Sequence, residues 1–419
     1  MTATTTDYDI IKRNSFTFFT CFLFVALIGA EKAPALLSIA MICQALSILI
    51  FTSPKKLLQN FAAQKPLVIF SFCYLFLLLS FFYSDNFTYL FERLQIKIPL
   101  LLYPLICPSI GRLSPNQKRM IMLTAIGVIL GSVIGILINY MLHFDQINQL
   151  YLQSKIMPGP IHHIRFSLLT VFAIYLCYYC VQQPITKTQR IALSAVAVFF
   201  VIFLHIYSVR SGLLSLYVVI VILLVNYAVR TRNLKHLLIA ITSIVIIAGG
   251  SILLSPTLKN KISNTTTDVN VYQNQEDPNF NSLATRMVSY KIALEIFKEN
   301  IWFGCGQGDL KDKNDGLFRK DYPTVLTPII PHNQFIYYLA ATGIIGLLIF
   351  MISFMAPLWS RRNFRNEFIM ISYVILVVAF QFEPMLETQL GVATTLVILF
   401  IPYYQLQEQQ TKALLHTRS

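Results

Sequence analysis

Apolar runs long enough to cross a lipid bilayer recur along nearly the whole of this chain, and no other feature limits its fold as strongly. About 20 apolar residues carry a helix across the hydrocarbon core. Twelve stretches qualify as spans, roughly 15–30, 35–52, 67–83, 94–108, 120–142, 166–182, 191–207, 213–229, 237–254, 333–358, 368–382 and 390–404. Of the 419 residues 56% are hydrophobic and only 12% are charged. A soluble domain carries about 25% charged residues, so this chain cannot cover a water-facing surface in the usual way. The expected fold is all-α, a polytopic integral membrane protein of about twelve transmembrane helices. The fourth run is short and interrupted by Pro99 and Pro104. That pattern predicts a kinked or re-entrant segment, which membranes tolerate only where protein or a cavity surrounds it.

The net charge of +14 would suggest nucleic acid in a soluble protein. Here the Lys and Arg residues sit in loops between apolar runs, so no nucleic-acid partner is expected. One set of loops holds Lys12 and Arg13, Lys55, Lys56 and Lys65, and Arg112, Lys118 and Arg119. The same set continues with Lys187 and Arg190, Arg230, Arg232 and Lys235, and Arg361, Arg362 and Arg365, and ends with Lys412 and Arg418. The opposite loops hold few. Basic loops stay in the cytoplasm, so both termini are expected inside, in a membrane of the inner-membrane type. No small-residue cleavage site follows the first run, which reads as a retained span. Cys177 and Cys180 form a C-x-x-C, but inside an expected span, where cysteine behaves as a small hydrophobe.

One polar segment breaks the pattern of short loops. Residues 255–331 divide the chain into a region of nine spans (1–254), a large outer loop, and a last region of three spans with a cytoplasmic tail (332–419). Within the loop, Leu283, Met287, Tyr290, Leu294 and Phe297 recur at helical spacing, which predicts an amphipathic helix. Residues 260–281 read as a flexible lead-in. The Gly304-Cys305-Gly306-Gln307-Gly308 stretch reads as a turn after the helix.

Ionisable groups at membrane depth are costly, so each one is a functional hypothesis. Arg93 and Lys97, Arg165, Arg210, Arg286, Glu383 and Glu387 all fall toward the outer face. Any one alone can be a snorkelling helix end. Several arginines together offer planar forks of donors suited to phosphate, as on a polyprenyl diphosphate whose tail lies in membrane lipid. His143, His162 and His163 lie in the outer loop before the sixth span. His332 stands at the start of an apolar helix, where the helix N-terminus disfavours the imidazolium and keeps the ring able to accept a proton. No metal centre is expected: the one D-x-D, Asp7-Tyr8-Asp9, lies on the other side of the membrane. No P-loop, dinucleotide fingerprint or serine-nucleophile motif is present, and no cofactor is expected.

The chain resembles the O-antigen ligase and polymerase superfamily of bacterial envelope glycosyltransferases. The resemblance rests on Arg286-Met-Val-Ser-Tyr290, Ala293-Leu-Glu-Ile-Phe297, Asn300-Ile-Trp-Phe-Gly304-Cys-Gly306 and His332-Asn333-Gln334-Phe335, with Gly343 and Gly346 beyond. The stretches around Arg165, Arg210 and Glu383–Glu387 are similar to family positions too. The resemblance implies a GT-C-like membrane fold with a large periplasmic loop. It implies metal-independent, inverting transfer of a glycan from undecaprenyl diphosphate to an acceptor hydroxyl, facing the periplasm. On that resemblance Arg165, Arg210 and Arg286 bind the diphosphate, His332 is the base, and His162 and His163 matter less. Glu383, Glu387, Arg93 and Lys97 orient the acceptor or pre-order the site. In a ligase, the preferred reading, the acceptor is lipid A–core; in a polymerase it is another carrier-linked repeat. A flippase of lipid-linked glycans is the alternative from another class. It would show internal repeats and mid-membrane polar groups, which this sequence lacks.

Overall fold

The computed structural model describes the backbone of residues 5–416, except 153–155, most of 234–255, 275–277 and 280–281. Helix is the only regular secondary structure among the described residues. In chain order the helices are α1 (Thr5–Gly29), α2 (Pro34–Leu49), α3 (Pro54–Ala62), α4 (Lys65–Phe70), α5 (Phe72–Leu75), α6 (Phe87–Lys97), α7 (Pro99–Ile106), α8 (Pro115–Leu142), α9 (Phe144–Leu152), α10 (His163–Val181), α11 (Lys187–Tyr207) and α12 (Arg210–Thr231). Beyond these lie α13 (Pro256–Gln273), α14 (Ser282–Glu299), α15 (Leu310–Asp321), α16 (Gln334–Met355), α17 (Arg361–Phe364), α18 (Glu367–Phe382) and α19 (Gln389–His416).

Among the described residues seven helices are long and apolar enough to cross a membrane, or eight if one bent pair is a single span. The remaining expected spans differ for local reasons. The second run bends by 99° between α2 and α3, where Pro54 starts a new helix capped by Ser53 and its ring bars the preceding residue from helical angles. The fourth is broken into α6 and α7 at Pro99. The last two are short apolar helices flanking an extended turn at Glu383-Pro384. The expected span over 237–254 lies almost wholly outside the described residues.

The most enclosed span is α10, which packs against α8, α11, α12, α18 and α19. Its partners approach closely where side chains are small: a Cβ on Gly212 would lie 2.5 Å from that of Ser167, so the start of α12 lies against the start of α10. Large apolar side chains such as Ile42, Ile134, Ile138, Val198, Ile202 and Leu348 point outward, as lipid-facing positions require. Cys177 and Cys180 are buried as free thiols.

The long polar segment is more ordered than its sequence implies. Much of the stretch read as a flexible lead-in is helix α13, whose Asp268 accepts from the Leu283 amide at 3.0 Å and so caps the start of α14. Helix α14 exists as expected, but its buried face is Ala284, Val288, Ile292 and Ile296, one position round from the predicted stripe; Leu294 is exposed. The smaller side chains face inward because α13 and α16 both press on that side.

Glycine chemistry joins this segment to the membrane helices. Helix α16 is interrupted at Gly343, which sits at φ +65°. The freed carbonyls of Ala340 and Ala341 accept from the amides of Cys305 (3.0 Å) and Gly306 (2.9 Å), and Ile344 donates to Ile301 O (2.9 Å). An unpaired amide within lipid costs several kcal/mol, so the 301–306 turn completes what the helix break leaves open. A Cβ at Gly343 would lie 2.3 Å from the Trp302 backbone. The turn expected at 304–308 is therefore also a docking element.

Candidate active site

Four separate elements bring charged groups to one corner. Arg165 lies in the first turn of α10 and is nearly enclosed. Its guanidinium donates to Oε1 of Glu383, the extended residue that ends α18. Asn333 caps α16 through its side-chain oxygen, and its Nδ2 donates to the Gln381 carbonyl (3.3 Å) and Oε1 (3.0 Å). That bond ties the start of α16, and with it His332, to the end of α18. Tyr290 Oη donates to the His332 carbonyl at 2.9 Å. Arg286 lies one turn earlier on α14, so it arrives beside His332.

The electrostatics follow from this enclosure. Burial and the neighbouring Arg286 push the His332 imidazole down to about 4. Burial of Glu383 works against its ionisation, but His162 and Arg165 outweigh it and hold the carboxyl at about 2. Burial lowers Arg286 from its ordinary value. Burial also raises Asp268, against its bond from Leu283 and the positive Arg210 nearby. Arg210, at the start of α12, therefore joins the same corner from the side of α13.

Polar atoms here lack partners. Arg165 Nε, His162 Nδ1, His332 Nδ1 and Glu383 Oε2 are all enclosed without a hydrogen bond. Enclosed polar groups are normally satisfied, and an unmet one costs about 1–3 kcal/mol. Next to them opens a pocket of about 390 Å³, lined by His162, His163, Tyr207, Ser282, Arg286 and Glu31 among others.

The other sequence candidates form a separate cluster. Lys97 and Glu387 make a fully enclosed ion pair. Glu387 also accepts from Gln307 (3.1 Å) and Gln334 (3.2 Å), and Gln334 Oε1 takes the Leu386 amide at 2.7 Å. Arg93 donates to the Glu387 carbonyl at 2.6 Å. These residues brace the turn that carries Glu383 without opening on the pocket. Sequence reasoning gave no site role to Gln307, Gln334, Tyr290 or Asp268, because uncharged or loop polar residues give no signal until a partner is known. Nor does the sequence show that His162 lies beside a carboxylate 221 positions away in the chain (383 − 162). Among the described residues no group of three or more His, Cys, Asp or Glu is placed to hold a metal ion.

Residues 194–351 match the family model described as O-antigen ligase, a stretch that contains Arg210, Arg286 and His332. No curated protein matches the chain.

Proposed function

We propose, from the premise that this chain carries an O-antigen ligase domain over residues 194–351, that it is a glycan ligase. It moves a glycan from undecaprenyl diphosphate to a sugar hydroxyl of lipid A–core, at the periplasmic face of a bacterial inner membrane. The observation that carries this reading is the buried, unpartnered Nε of Arg165 beside a pocket lined by Arg286 and His162. Such donors suit a ligand rich in oxygen acceptors.

In this reading Arg286, Arg165 and Arg210 hold the diphosphate. Guanidinium forks match phosphate oxygens two at a time, and their charge offsets what develops on the leaving group. Inversion at the anomeric carbon follows from direct attack by the hydroxyl. A neutral imidazole is needed to take its proton; the family resemblance nominates His332, and His162 is a second imidazole beside Glu383 that lines the pocket. A transporter is less well supported, because the charges gather at one end of the bundle around a closed corner.

Deletion of the protein followed by electrophoresis of lipopolysaccharide tests the reading. Loss of every ladder band, with carrier-linked polymer accumulating, is the expected result. A single repeat left on the core assigns the chain to the polymerases instead, and an unchanged ladder removes both.

A further inference from the structure

Two imidazoles flank Glu383, and their surroundings differ. His332 has its Nδ1 enclosed with no partner, stands near the positive Arg286, and is not among the residues lining the pocket. His162, the N-cap residue of α10, does line it. The Nδ1 of His162 is enclosed and lies 3.6 Å from Glu383 Oε2, while the residue itself lines the pocket. Glu383 is held at Oε1 by Arg165, and its Oε2 is enclosed without a hydrogen bond. A carboxylate fixed at one oxygen thus presents the other to an imidazole that lines the pocket and packs on the His163 ring.

This is the geometry of an oriented proton acceptor. A carboxylate beside Nδ1–H fixes the tautomer that leaves a lone pair on Nε2 and stabilises the imidazolium that forms. We propose that His162, oriented by Glu383, is a further catalytic residue and accepts the proton of the acceptor hydroxyl. The proposal rests on the transfer reaction above. In that step the hydroxyl O–H breaks and its proton goes to Nε2 of His162. The oxygen's electron pair forms the bond to the anomeric carbon. The bond from that carbon to the diphosphate oxygen breaks, its pair leaving on the diphosphate, and the proton then passes from His162 to water in the pocket. The 3.6 Å gap exceeds a hydrogen bond; such contacts tighten in a loaded site.

The test uses full-length protein in lipid nanodiscs with undecaprenyl diphosphate-linked glycan and lipid A–core. His162→Ala should lower kcat by roughly 10²–10⁴-fold, the usual worth of a positioned base, with the donor KM unchanged. His162→Gln should not recover it. Imidazole in the buffer should restore part of the rate of the alanine variant, which a purely structural loss would not allow. Full activity of His162→Ala, or an inactive variant that imidazole does not rescue, overturns the assignment while leaving the reaction standing. A wild-type protein that transfers nothing overturns the reaction itself.

Discussion

Lys97 Nζ lies 2.8 Å from each carboxylate oxygen of Glu387, and neither side chain has any exposed surface. Removing one member of such a pair strands a charge, at a cost of about 3–5 kcal/mol. Lys97→Met and Glu387→Gln should each depress thermal unfolding in detergent strongly, and the double replacement should recover much of the loss. Single variants that melt like the wild type would show that the pair carries no such load.

The break in α16 makes a second test. Gly343→Ala must push its methyl into the Trp302 backbone, so the 301–306 turn should undock. Amide exchange at Cys305 and Gly306 should quicken well beyond the wild type. Gly316, inside α15 with open space around it, is the control: alanine there should be neutral or add about 0.5–1 kcal/mol. Unchanged protection in Gly343→Ala would contradict the docking.

Acid should weaken the site in two stages. The His332 imidazole sits at about 4 in the folded protein against an ordinary 6.5, so between those values the unfolded chain binds the proton more readily. Stability therefore rises with pH from about 4 to 6.5 and is level above. Glu383, at about 2 against an ordinary 4.5, contributes stability above 4.5 that is lost as pH falls toward 2. His332→Gln should flatten the upper stage and spare the lower. A wild-type slope in that variant would mean that the imidazole is not held neutral.

How much of this was legible in the sequence divides by range. Apolar runs report their own length, so seven spans stand close to their expected positions, and Pro99 marked the broken fourth. Where a helix bends or stops depends on local partners, as Pro54 does against Ser53, and hydropathy is blind to that. The buried face of α14 was misplaced by one position, because Ala284 and Val288 weigh less than Leu283 and Met287 until the pressing neighbours are known. Charge position drew attention to Arg165 and Glu383, but not to their pairing across 218 positions (383 − 165). Nor could charge separate Glu387, sealed on Lys97, from Glu383, which keeps one oxygen without a hydrogen bond.

Orientation is tested by labelling. Lys320→Cys, on the exposed face of α15, should react with an impermeant maleimide added to intact spheroplasts. Arg190→Cys, exposed in the first turn of α11, should react only after permeabilisation. The reverse pattern would put the arginine corner on the cytoplasmic side and remove its access to a periplasmic donor.

The central claim is that arginine forks at this corner hold a lipid diphosphate during glycan transfer, and Arg286→Lys tests it most directly. Purified wild-type protein, given undecaprenyl diphosphate-linked glycan and lipid A–core, should release free undecaprenyl diphosphate as the glycan joins the acceptor. Arg286→Lys keeps the charge but loses the paired donors, so it should insert normally and release the carrier far more slowly. Carrier release at the wild-type rate by the lysine variant would contradict the account.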